Sequence, residues 1–246
     1  AIDYRLTDNF LDPPGKTEHF HAEKLRRLPA TFACYRPPDA AGDVDPLPGL
    51  AAGHITFGCF NAQSRVSPAA IDLWADLLAR CPDARLLCVT RGNAAARLRR
   101  QLTDALTRRG LPHERAQFRS QLSFPEYLAL HGQIDILLDA FPRSGHTVTC
   151  HALWMGAPVV TLAGLSYAQR LSRSVLSTLG MHDWIAASPE QYLDIARRAA
   201  ADRDRLVALR AALRPRMAAS PLTDAPRFAA AVEAAYRSIW RAHCST

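Results

Sequence analysis

Residues 134–162 read IDILLDAFPRSGHTVTCHALWMGAPVVTL, a strand-loop-helix-strand phrase that sets the fold class. Ile134 to Asp139 is an apolar run without period-2 alternation, as expected of a strand covered on both faces. Thr147 to Met155 reads as a helix stopped by Gly156, and Pro158 to Leu162 as the next strand. The same phrase repeats on either side. Ile55 to Phe60 predicts a buried strand, and Ser67-Pro68 supplies an N-cap and a first-turn proline for a helix that lines up Ile71, Trp74, Leu77 and Leu78. Arg85 to Thr90 is a strand, Ala94 to Arg109 a helix ended by Gly110, Arg115 to Arg119 a short strand, and Pro125 to His131 a short helix. Further on, helices are expected over Tyr167–Leu179, from Ser188-Pro189 to Asp202, over Arg203–Met217 and over Asp224–His243. Strand and helix alternating in this way imply right-handed βαβ units and one doubly wound parallel sheet.

Residues 1–53 differ. They are broken by Pro13-Pro14-Gly15, Pro37-Pro38 and Pro46-Leu47-Pro48-Gly49, with a short helix expected over Thr17–Arg27. The division is therefore a connecting segment, 1–53, and an α/β lobe, 54–246. The chain opens in mid-pattern and reads as a piece of something longer.

Composition narrows the function classes. The 246 residues carry 30 basic and 23 acidic side chains, a net charge of +7, yet lysine occurs only at Lys16 and Lys24. The arginines stand beside Asp and Glu on helix faces, as in Arg197, Arg198, Asp202, Arg203, Asp204 and Arg205, without an aromatic-interleaved groove, so nucleic acid is not the expected partner. No apolar run approaches the ~20 residues of a membrane span, and Ala1–Asp8 lacks a signal-peptide pattern. Six cysteines without CxxC spacing sit in apolar runs such as Leu86-Leu87-Cys88-Val89, as reduced thiols of a cytoplasmic protein would.

In open parallel sheets ligands bind beyond the carboxyl ends of the strands, so the loops to inspect are 61–66, 91–93, 119–124, 140–147 and 163–167. Gly145 allows close backbone approach, and His146, Thr147 and Val148 present amides at a helix N-terminus, which favours phosphate oxygens. Spacing alone fits equally a tight turn with a threonine cap. Arg65, after the first strand of the lobe, would face the same crevice and match a phosphate bidentately, though its position alone fits at least as well an exposed arginine before a helix. His131, His146 and His151 lack acidic or cysteine partners at ligand spacing, so no metal is expected. GxSxG, Walker and GxGxxG patterns are absent.

Phe57-Gly-Cys-Phe-Asn61, Asp135-Ile-Leu-Leu-Asp-Ala-Phe-Pro142, Gly145-His-Thr-Val-Thr-Cys150, Ala152-Leu-Trp-Met-Gly-Ala-Pro-Val-Val-Thr-Leu-Ala-Gly164 and Ser220-Pro-Leu222 resemble the carboxyl-terminal catalytic region of the O-GlcNAc transferases. This protein Ser/Thr N-acetylglucosaminyltransferase family has a bacterial branch and plant SPINDLY relatives. The resemblance runs from Asp3-Tyr4 to Trp240, and Glu23-Lys24-Leu25 and Leu28-Pro29 fit the segment between the family's two lobes. It implies the C-terminal, nucleotide-binding lobe of a GT-B glycosyltransferase, with the first lobe and upstream TPR repeats lying outside this chain. UDP-GlcNAc is then the donor, a protein Ser or Thr hydroxyl the acceptor, and no metal or other cofactor is implied.

Carried over residue by residue, the resemblance puts Arg65 where the family has a phosphate-binding lysine. Asn61 and Gln63 fall in the donor loop, and a glutamine of the animal enzymes falls on Ala62. Backbone contacts to uracil fall on Gln121-Leu122-Ser123. A donor-site lysine falls near Phe124 and a histidine near Tyr127, which could stack on the base. Gly145, His146, Thr147 and Val148 take the phosphate-binding turn, and His151 stands where the family has a ribose-binding acidic residue. Another sugar donor, a glycan acceptor, or a catalytically silent binding module remain alternatives.

Overall fold

The computed structural model describes residues 2–90, 94–120 and 122–245. Two short strands open the chain, β1 (Tyr4–Thr7) and β2 (Lys24–Arg27), paired in parallel with Tyr4 opposite Lys24. The helix expected over Thr17–Arg27 is not formed. Only a 3-10 turn at Glu18–Phe20 is helical, and the remainder is β2. The stretch has no apolar stripe at helical spacing, and β1 offers ladder partners: Lys24 N–H donates to Asp3 and Leu28 N–H to Thr7. Tertiary pairing therefore overrides local propensity.

After α1 (Pro48–Ala52) the regular alternation begins. Its elements are β3 (Thr56–Cys59), α2 (Pro68–Arg80), β4 (Arg85–Val89), α3 (Ala94–Thr107), β5 (Ala116–Arg119), α4 (Phe124–Ala129) and β6 (Ile136–Leu138). They continue as α5 (Thr147–Trp154), β7 (Val159–Leu162), α6 (Leu171–Thr178), β8 (Ile185–Ala186), α7 (Pro189–Ala201), α8 (Arg203–Ala218) and α9 (Ala225–Cys244). Strand β8 went unpredicted because two residues carry no pattern. The capping signals act as read: Ser67 accepts from the Ala70 amide, Ser188 from the Gln191 amide, and Gly110 takes φ 68° after α3.

The six strands lie in the order β5-β4-β3-β6-β7-β8, all parallel. The chain builds outward from β3 through β4 to β5, then returns to place β6 on the other side of β3. The order thus reverses between β3 and β6, and the loops leaving these two strands diverge there to open a crevice. Helix α2 packs on α3 and α7, while α5 packs on α6 and α8. Between these layers Phe57, Trp74, Leu86, Leu137, Val160 and Tyr192 are wholly buried.

Residues 1–53 are fastened to this sheet by buried polar groups. Asp8 accepts from the amides of Phe10, Leu11 and Phe32 and from the Ser174 hydroxyl. Asp12 pairs with Arg170 at 3.0 Å, and Asp135 accepts from the Gly49 amide. Arg210, 2% exposed, donates to the carbonyls of Asp45, Ile134 and His131. Replacing Arg210 by Met keeps the stem but leaves three carbonyls without their donor. It should cost about 2–4 kcal/mol in urea unfolding, and a loss under about 1 kcal/mol would show that the carbonyls find other partners.

Candidate nucleotide-diphosphate site

At the reversal point, β3 runs into Phe60-Asn61 and β6 into Asp139. Asn61 Nδ2 donates to Asp139 Oδ1 at 2.9 Å, the Gly145 amide donates to the same oxygen at 2.8 Å, and Thr161 Oγ1 donates to Oδ2 at 2.7 Å. Asp139 is fully buried, and that burial pushes its carboxyl above the ordinary range while these donors oppose the shift. The Asp139 carbonyl also accepts from Tyr192 Oη, whose oxygen in turn accepts from Trp74 Nε1. In the sequence the only sign of this role is a carboxylate directly after an apolar strand.

The fixed Gly145 lies two residues before α5. A Cβ on Gly145 would lie 2.9 Å from Thr149 Oγ1, 3.1 Å from Asp139 Oδ1 and 3.3 Å from Asn61 Nδ2. The glycine is thus required by its own loop as well as leaving room in front, and its amide is held by Asp139. The amides of His146, Thr147 and Val148 donate to no partner among the described residues. They converge at the N-terminus of an eight-residue helix, where backbone dipoles favour an anion. Arg65 joins the two loops, its Nη1 donating to the Ser144 carbonyl at 3.0 Å.

A cavity of about 400 Å³ opens beside these amides, walled by Asn61, Gln63, Phe124, Tyr127, Val148 and His151, with Thr147 at its floor. Gln63 is braced by a bond to the Val89 carbonyl. Phe124 is the exposed ring, 46% accessible, and it stacks on Tyr127 at an interplanar angle of 17°. Tyr127 is buried, so the face open to a ligand on this wall is that of Phe124. Tyr35, from the connecting segment, closes behind His151 with ring centroids 5.9 Å apart. No sequence pattern announced that contact.

The ten sequence-predicted site residues thus divide by position. Asn61, Gln63, Tyr127, Thr147, Val148 and His151 stand in the cavity wall. Gly145 and His146 lie behind it in the turn, and Arg65 bridges the two loops. Leu122 packs, partly buried, against the hydrophobic core. Loop 91–93 and Gln121 lie outside the described residues. Among the described residues no three His, Cys, Asp or Glu side chains gather closely enough to hold a metal ion.

Three histidines surround the site and all are held neutral. Burial pushes His151 and His146 below the ordinary imidazole value, and the Arg65 charge adds to the shift at His146. His131, fully buried behind Tyr127 with Nδ1 at 3.0 Å from the Leu128 carbonyl, is pushed from 6.5 to about 3 by burial. Between these values the unfolded chain takes up a proton that the folded chain refuses, so stability is full above 6.5 and falls as pH drops through the window. The slope from His131 should reach about 1.4 kcal/mol per pH unit. Chemical unfolding of His131→Gln across that window should show a correspondingly shallower decline, and an unchanged slope would mean that His131 ionises in the folded chain.

The sequence profile of glycosyl transferase family 41 matches residues 47–232. The chain is 37% identical over 245 residues to a protein of Petunia hybrida named probable UDP-N-acetylglucosamine–peptide N-acetylglucosaminyltransferase SPINDLY, covering 99% of this chain and 26% of that one. Its fold superposes on an O-GlcNAc transferase mutant of Thermobaculum terrenum with a TM-score of 0.88 and 36% identity, covering 99% of this chain and 46% of that chain. The C-terminal domain of a glycosyl transferase group 1 protein from Francisella tularensis shares the fold alone, at 12% identity and a TM-score of 0.57 over 96% of that domain. The chain therefore spans about a quarter of the length of the SPINDLY relatives it matches. With its parallel sheet of GT-B lobe type and its family 41 profile, it belongs to glycosyl transferase family 41.

Proposed function

We propose that this chain is the donor-binding lobe of an inverting transferase that moves N-acetylglucosamine from UDP to a Ser or Thr hydroxyl of a protein. The observation that carries this reading is the trio of unpartnered amides at His146, Thr147 and Val148, set beside an apolar cavity at the strand-order reversal. A diphosphate offers oxygens to that helix end, and the base has the exposed face of Phe124 to lie on. The neutral His151 imidazole offers the ribose a single acceptor nitrogen in place of a carboxylate.

In transfer, the acceptor oxygen bonds to the anomeric carbon as the bond from that carbon to the phosphate oxygen breaks. Negative charge grows on the departing UDP. The α5 amides are already oriented and already held by Asp139 through Gly145, so they stabilise that charge without reorganising. Arg65, kept between the loops by Ser144, adds a full positive charge beside them. No metal enters this proposal. The acceptor and its proton-accepting group are assigned to an upstream lobe, preceded by TPR repeats. In support, β1 and β2 form a two-stranded parallel pair, an arrangement that elsewhere occurs inside larger covered sheets. The six free cysteines fit a reducing compartment such as the cytoplasm. Among the described residues no helix is long and apolar enough to cross a membrane.

Calorimetry tests the donor site directly. Arg65→Ala should weaken UDP binding by about 1.5–3 kcal/mol, the range for a hydrogen bond to a charged group, and leave uridine almost unaffected. Equal losses for both ligands would show that Arg65 acts by bracing the loop through Ser144 alone. For the ribose contact, His151→Asp should improve affinity for UDP more than for 2′-deoxy-UDP, since a carboxylate accepts from both hydroxyls. An unchanged ratio would remove His151 from the ribose.

A further inference from the structure

The carboxyl ends of β7 and β8 carry a second cavity of about 660 Å³, which the donor reading does not use. Phe10, Leu165, Arg173, Ser177, His182 and Ala187 line it. Phe10 leans on His182 with ring centroids 6.3 Å apart, and Leu165 stands at the rim 81% exposed, so much of the wall is apolar. Arg173 is its charged feature. This side chain on α6 is half-buried, and its guanidinium makes no hydrogen bond or ion pair with any described residue. Burial and the adjacent Arg170 push its pKa down, and the Asp8 carboxylate, beyond ion-pair distance, opposes them.

The charges nearby are already matched. Arg170 is taken up by Asp12 and by the carbonyls of Leu11, Gly164 and Leu165. The Asp8 carboxylate serves three amides and Ser174. Asp183 is paired with Arg205. The groove therefore offers a positive charge with no direct hydrogen-bond or ion-pair partner among the described residues, beside exposed apolar surface, a combination that complements a carboxylate side chain next to an apolar one.

We propose that this groove is a peptide-recognition subsite that seats an acidic side chain on Arg173 and its apolar neighbour against Leu165 and Phe10. It lies on the same strand-end edge as the donor cavity, two strands away, where a polypeptide acceptor can run past both. The identity of the peptide as acceptor rests on the transferase reading, whereas the charge recognition itself does not.

Fluorescence anisotropy of the 246-residue chain with a labelled hexapeptide containing Glu-Leu, against the same peptide with Gln-Leu, tests this. The Glu form should bind about tenfold tighter at low salt, the worth of one charge-assisted contact. Arg173→Gln should bring the ratio to within about twofold. Leu165→Asp, at an exposed position that folding does not depend on, should weaken the Glu form selectively. Thermal midpoint and UDP affinity serve as controls for folding and for the donor site, and both variants should match the parent in them. A parent chain that does not distinguish the peptides, or a ratio that survives Arg173→Gln, overturns the subsite. Loss of UDP binding in the parent with the peptide ratios as expected would overturn the donor reading and leave the subsite standing.

Discussion

Three donors from three separate pieces of chain meet on the Asp139 carboxylate: Asn61 after β3, Gly145 before α5, and Thr161 in β7. A parallel sheet that reverses its strand order opens a crevice for topological reasons, but topology alone does not say how its two lips are spaced. Asp139 sets that spacing. Burying a carboxylate is unfavourable, and charge-assisted bonds offset the cost while fixing the geometry of what donates them. Through its carbonyl the same residue reaches Tyr192 and Trp74, so the packing of α2 and α7 is mechanically continuous with the turn that starts α5.

The electrostatics of the site follow from that arrangement. The positive potential beside the cavity comes from oriented neutral dipoles and from Arg65, since burial holds His131, His146 and His151 below the ordinary imidazole value. Fixed dipoles need no reorganisation, which suits the leaving group of the proposed transfer, whose charge appears only during reaction. Residues 1–53 also help to wall the site. Held by Asp8, Asp12 and Arg170, they lay Phe32 against His146 and Tyr35 against His151, and so shield two of those histidines.

Much of this was legible in the sequence because parallel strands and their helices announce themselves through apolar runs, N-caps such as Ser67-Pro68, and glycine stops such as Gly110 and Gly156. The helix N-terminus after Gly145 was legible for the same reason, since glycine before a short apolar helix is a local signal. What failed to show were long-range pairings. Strand β2 depends on β1 across the sixteen residues 8–23. Tyr35 reaches His151 from a proline-broken segment, and Phe124 presents the exposed ring beside the buried Tyr127 in the cavity wall. Each is decided by which surface another segment covers, and a single sequence does not encode that in its local pattern. Arg65 was legible as a cation after the first strand of the lobe, but its bond to Ser144 depends on a loop 79 residues away.

The most direct measurement of the central claim is amide chemical-shift mapping by NMR during titration with UDP and, separately, with uridine. The account predicts that UDP shifts the backbone amides of His146, Thr147 and Val148 strongly, and that uridine leaves these three nearly unmoved while still perturbing residues around Phe124. Shifts at the three amides that are equal for both ligands, or absent with bound UDP, would contradict the assignment of the α5 N-terminus as the diphosphate cradle.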